Sequence, residues 1–109
     1  MRKPMLIVLA AVAATCFGSS AANAQDPVIA AAGDIACAPD DPNMNGGAGT
    51  DEGCRQRATS DLLVGAPLAA VLPLGDIQYD SATPSNIMAV YDPTWGRVKS
   101  ISRPILGNH

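Results

Sequence analysis

Three short apolar runs in this chain end in glycine and then, at once, in a side chain able to hold a hard cation. Val28-Ile29-Ala30-Ala31-Ala32 leads into Gly33-Asp34, Leu72-Pro73-Leu74 into Gly75-Asp76, and Pro104-Ile105-Leu106 into Gly107-Asn108-His109. Either aspartate alone reads better as a turn residue bonding a nearby backbone N–H. The recurrence changes the weighting. Two carboxylates brought together without a cation repel, and one of them is forced to take a proton. A pair of metal ions removes that conflict. One acid can bridge two ions roughly 3.5–4 Å apart, a geometry that clamps the attacking and leaving oxygens of a phosphoester.

The elements that must position these residues follow from the same pattern. A short apolar run closed by glycine reads as a buried parallel strand with a sharp turn at its end. In open α/β sheets, ligands gather beyond the carboxyl ends of the strands. Strands are therefore expected within Gln25 to Asp34, from about Ala69 to Leu74, and at Pro104 to Leu106. Pro73 is awkward for a central strand because it cannot donate to the ladder. Ile35 to Thr50 is rich in turn residues and reads as a loop. A helix is predicted from Asp51 to Val64, capped by Thr50 or Asp51, with Cys54, Ala58, Leu62 and Leu63 as its apolar stripe. A second helix is predicted from Ser85 to Tyr91, and a further helical piece from Thr94 to about Ser100. The order β-α-β-α-β implies an α/β fold with parallel strands and layered packing. Trp95 is expected to pack between the second helix and the sheet. Arg55, Arg57 and Arg97 could meet a phosphate, although exposed helix positions explain them equally.

Composition sets further bounds. Of 109 residues, seven are basic and ten acidic. Met1-Arg2-Lys3, an apolar stretch from Met5 to Phe17 and the small-x-small motif Ala22-Asn23-Ala24 read as a secretory signal, with cleavage after Ala24. The apolar stretch is short of the roughly 20 residues that span a bilayer, so no membrane attachment is expected after cleavage. The expected location is secreted or periplasmic. Residues 25–109 would then carry no basic cluster, which argues against a nucleic-acid-binding patch. Cleavage also removes Cys16 and leaves Cys37 and Cys54 as a plausible disulfide, with two buried free thiols as the other reading. Asp41-Pro42-Asn43-Met44-Asn45-Gly46, followed by Glu52, satisfies the spacing of an EF-hand calcium loop. That motif needs a helix on both sides, and nothing before Asp41 reads as helical.

Gly75-Asp76-Ile77-Gln78-Tyr79 fits G-D-x-x-Y and Gly107-Asn108-His109 fits G-N-H, with Gly33-Asp34 upstream in the matching order. On these motifs the chain resembles the calcineurin-like metallophosphoesterases, specifically the purple acid phosphatase branch, over most of residues 25–109. The resemblance implies the N-terminal half of a layered metallophosphoesterase sandwich. It implies an exported phosphoesterase with two metal ions, iron paired with zinc, manganese or a second iron, and a phosphate ester as substrate. Asp34 would bind the first ion, Asp76 would bridge both, Tyr79 would bind the first as phenolate, and Asn108 would bind the second. His109 would act on the leaving group, and a metal-bridging hydroxide would attack phosphorus. Tyrosine titrates near 10, so ionising it as a ligand calls for a strong Lewis acid such as ferric iron.

The chain departs from the family pattern in two places. Asp34-Ile35-Ala36 has no imidazole where many metallophosphoesterases carry D-x-H. The motifs V-x-x-H and G-H-x-H would bring three histidines, yet His109 is the single histidine present. Residues 25–109 are therefore expected to be a truncated part of the domain and inactive alone. A domain of this size also buries only about 60% of its unfolded surface. The contrasting reading is a small secreted, disulfide-bonded module without enzymatic activity, with calcium as its candidate ligand.

Overall fold

A computed structural model describes residues 25–109. The secretory-signal reading of Met1–Ala24 lies outside the described residues. Two strands, β1 (Ile29–Ala32) and β2 (Ala70–Pro73), pair in parallel with Ile29 opposite Ala70 and Ala32 opposite Pro73. Beyond the strands each segment turns through its Gly-Asp pair, and the two meet again at a bridge between Ala36 and Gln78. The offset between partners is 41 residues at Ile29–Ala70 and 42 at Ala36–Gln78. The second segment therefore carries one extra residue through its turn, the signature of a bulge.

The third run does not form a strand of its own. Ser102 bridges to Val71, and the amides of Arg103 and Ile105 donate to the carbonyls of Val71 and Pro73 at 2.8 and 3.0 Å. In a parallel ladder the N–H and C=O of one residue point to the same side. Pro73 thus turns its missing N–H toward this segment, and the return bond to Arg103 cannot form. Pro104 has no N–H either. The awkward proline read from the sequence is the reason that Pro104–Leu106 lies beside the sheet without completing it.

The first helix is shorter than expected. Asp51 to Val64 was the predicted span, and α1 covers Gln56–Asp61 alone. Cys54 sits at φ 58 and is bonded to Cys37, so the chain cannot enter a helix before Arg55. Neither Thr50 nor Asp51 caps it: the residue before α1 is Arg55, with no side-chain cap. Of the expected apolar stripe, Cys54 is buried and Leu63 packs partly against the core, but the other two positions are not inside. Gln56 and Ser60, four residues apart, face inward, while Ala58 is exposed and Leu62 is 78% exposed.

The second helical region follows its prediction closely. Thr83 caps α2 (Pro84–Asn86) by accepting from the Asn86 amide, with Pro84 at the first helical position. The helix continues as a π turn over Ile87–Tyr91, and a 3-10 segment spans Trp95–Ile101. Ala36, Val71, Val90, Tyr91, Trp95 and Val98 form the core. Trp95 is buried among them and donates its indole N–H to Thr59 at 3.1 Å, which ties the 3-10 segment to α1. The result is a small mixed α/β arrangement with two parallel strands in one sheet.

Candidate functional site

The carboxyl ends of β1, β2 and the third segment bring Asp34, Asp76, Tyr79 and His109 together. Asp34 and Asp76 both adopt left-handed backbone, φ 52 and 45, a region aspartate occupies more readily than most residues. The amide of Ile35 donates to the Asp76 carbonyl at 3.1 Å, so the two turns are joined directly. The Tyr79 hydroxyl donates to Asp34 Oδ1 in a short hydrogen bond and lies 3.3 Å from Asp76 Oδ2. One phenol proton is therefore placed between two carboxylates. Its bond to Asp34, aided by burial and by the charges of both acids, pushes the Tyr79 hydroxyl well above its ordinary pKa.

Asp76 is held by the Gly107–His109 segment. Its Oδ1 accepts the backbone N–H of His109 at 2.9 Å. That bond, with help from the Asn108 amide and the His109 charge and against partial burial, keeps the Asp76 carboxyl below its usual range. Close approach of backbone to backbone makes this possible. Gly75 has φ 93, and a Cβ there would lie 3.0 Å from Gly107 Cα and from the Leu106 carbonyl. A Cβ on Gly107 would overlap Asp76 Oδ1 and the Asp76 amide. Both motif glycines are needed because the third segment passes directly over the second turn.

His109 stacks against Tyr79 with ring centroids 4.7 Å apart and planes tilted by 51°. Its Nδ1 lies 2.8 Å from the Asp80 carbonyl oxygen. A carbonyl can only accept, so Nδ1 carries the proton and Nε2 is left for other partners. Asn108 occupies the same turn, is exposed, and faces Asp76 through its backbone amide.

Two contributors were not singled out from sequence. Gln78 is fully buried and donates from Nε2 to the carbonyls of Cys37 and Tyr79, at 2.7 and 2.8 Å, holding the two turns together. Its place two residues after Asp76 was the available signal. Asp80 acts through its carbonyl, which any residue supplies, so no side-chain pattern marks it.

The remaining candidates fall elsewhere. Cys37 and Cys54 form a disulfide with Cα atoms 5.5 Å apart, inside the usual range. The Asp41–Glu52 loop has no EF-hand form: Asp41 accepts from the Asn43 amide, Glu52 from Thr50, and a three-residue 3-10 turn at Asn45–Gly47 stands within it. Arg97 is paired with Asp61 and Ser60, and Arg55 with Asp51, so both have partners other than a phosphate. Comparison with family models, with curated proteins and with solved structures finds no match for this chain.

Proposed function

We propose that residues 25–109 are the ligand-bearing first half of an exported dinuclear metallophosphoesterase of the purple acid phosphatase type, acting on a phosphate ester. The observation that supports this most is the meeting of Asp34 and Asp76 on one phenol oxygen. The donors fit the ions. Two carboxylates and a hydroxyl are hard oxygen ligands, and a proton now stands between groups that a cation would hold together. Asp34 and Tyr79 would hold a ferric ion, Asp76 would be shared, and Asn108 would serve the second ion, zinc, manganese or iron. When bound, the ions would supply Lewis acidity toward phosphoryl oxygens.

The chain's own groups have distinct tasks in this reading. Tyr79 must surrender its proton before it can ligate, and the two acids that now hold that proton oppose the loss. His109 can donate to a leaving oxygen only as imidazolium, because its Nδ1 proton is committed to the Asp80 carbonyl. Gln78 and the Ile35 amide keep the two acid-bearing turns at a fixed separation. The chain's single histidine leaves the other imidazole ligands of such a site to be supplied from elsewhere, so these residues are expected to bind metal without turnover.

Ferric titration of the chain tests the reading. A visible tyrosinate-to-iron charge-transfer band should appear, vanish in Tyr79→Phe and persist in His109→Ala. Failure of the band at stoichiometric iron would sink the assignment of Tyr79. A chelator-sensitive hydrolysis of an aryl phosphate by this chain alone would overturn the half-site. The second reading, a non-enzymatic exported module, draws support from the disulfide. A monodisperse, cooperatively unfolding chain that ignores iron would favour it.

A further inference from the structure

We propose that Cys37, Cys54 and Asp41 form a second, redox-gated metal site, one that takes a single zinc ion once the disulfide is reduced. One ligand atom from each of the three residues lies within 4.8 Å of the others. All three line an open cavity of about 810 Å³ between β1, the 36–42 loop and α1, whose wall also includes Asp34 and Tyr79. With the cysteine Cα atoms 5.5 Å apart, side-chain rotation alone lets both sulfurs reach one ion. Asp41 is half-buried, and its Oδ1 accepts the Asn43 amide at 2.7 Å. That bond occupies one carboxylate oxygen and leaves the second without a partner among the described residues.

In the oxidised chain the sulfurs are bonded to each other and cannot act as thiolates. A dithiol reductant changes this. Its two electrons cleave the Cys37–Cys54 bond, its two protons go to the released sulfurs, and its own sulfurs close into a disulfide. Each cysteine then loses its proton to solvent as the metal–sulfur bonds form. Two thiolates and one carboxylate suit tetrahedral zinc, which takes sulfur at about 2.3 Å and carboxylate oxygen at about 2.0–2.2 Å. Magnesium and calcium, which require oxygen donors throughout, are excluded. The fourth position would be left to water or to another ligand. Zinc would then replace the disulfide as the link between the first turn and the start of α1, through ligands wholly different from the carboxylate–phenol cluster.

Cobalt(II) serves as the spectroscopic probe, titrated into the full chain kept reduced by a phosphine and into the oxidised chain. The reduced chain should bind one cobalt with a thiolate-to-metal band, and equimolar zinc should erase it. The oxidised chain should show no such band. Asp41→Asn keeps the Oδ1 acceptor for Asn43 and removes the charge, so it should fold and bind at least about tenfold more weakly. Asp34→Asn and Asp76→Asn should leave the band unchanged, which separates this site from the proposed dinuclear one. No thiolate band in the reduced chain, or equal affinity in Asp41→Asn, would refute the proposal.

Discussion

The two Gly-Asp turns are written alike and built differently. Gly33-Asp34 and Gly75-Asp76 each close a parallel strand, and both aspartates take left-handed backbone. At the first turn the glycine has room: a Cβ on Gly33 would meet the Leu74 carbonyl at 3.6 Å, ordinary contact, and its φ is not left-handed. At the second, Gly75 is left-handed and pressed against Gly107. What secures each turn differs too. The first is followed three residues later by a covalent tie, Cys37–Cys54. The second is secured by backbone packed on backbone and by the His109 amide on Asp76. Asp34 accordingly stays exposed with the Tyr79 hydroxyl as its partner, while Asp76 is half-buried and its carboxyl is held acidic. A motif that repeats in sequence can thus leave one acid exposed with a phenol as its partner and another gripped by backbone.

The largest break in this comparison should come from Gly107→Ala. The added methyl overlaps Asp76, so the last segment must leave the second turn, at a cost on the order of 3–4 kcal/mol locally. Hydrogen exchange should show protection lost at the Ile105 and His109 amides and kept at Leu74, which bonds to Ala32. Unchanged protection at Ile105 would mean that the close approach does not secure the turn. Replacing Cys37 and Cys54 by serine should cost about 3 kcal/mol for the 17-residue separation. Its spectral changes should centre on Asp34 and α1 rather than on Asp76. Denaturant melts followed by residue-resolved NMR would read both the size and the place of the effect.

A matched pair sharpens the contrast. Gly75→Ala should destabilise by about 1–3 kcal/mol through its φ and its neighbours, and Gly33→Ala by no more than about 0.5 kcal/mol. Equal losses in the two variants would erase the distinction between the turns. The smallest effect is expected from acid. Because the folded Asp76 carboxyl is more acidic than in the unfolded chain, its contribution is present above about pH 3.9 and is lost as pH falls through its lowered value. The His109 amide resonance should track that loss in the wild type and be flat in Asp76→Asn. The Tyr79 hydroxyl runs the other way. Its raised pKa makes its contribution full below about pH 10 and lost progressively as pH rises from there through the raised folded value, so Tyr79→Phe should narrow its stability deficit in strong alkali.

Much of the positioning was legible in advance. The two parallel strands, the span of the 85–91 helix, the cysteine pair and the approach of Asp34 and Asp76 follow from local apolar runs, turn residues and a repeated strand-Gly-ligand order, whereas Tyr79 and His109 were marked only by the family resemblance. Such features survive because each depends on a few neighbouring residues or on the end of a strand. Other features depended on contacts between distant residues. The length of α1 was decided by a cysteine held in left-handed backbone by a partner 17 residues away. Its buried face went to Gln56 and Ser60 because Arg97 and Trp95 arrive from the 3-10 segment to meet Ser60 and Thr59.

By itself, then, the sequence determined that three chain segments would carry Asp34, Asp76 and the Asn108-His109 pair to one edge. The tertiary structure alone decided how each is held. Pro73 leaves the third segment one-sided, Gly107 brings it into contact with Asp76, and the phenol of Tyr79 comes to rest between two acids 45 and 3 residues away. The physical reason is reach: periodicity reports the conformation of a few residues, whereas a carboxylate's partners are set by whichever backbone the fold lays against it.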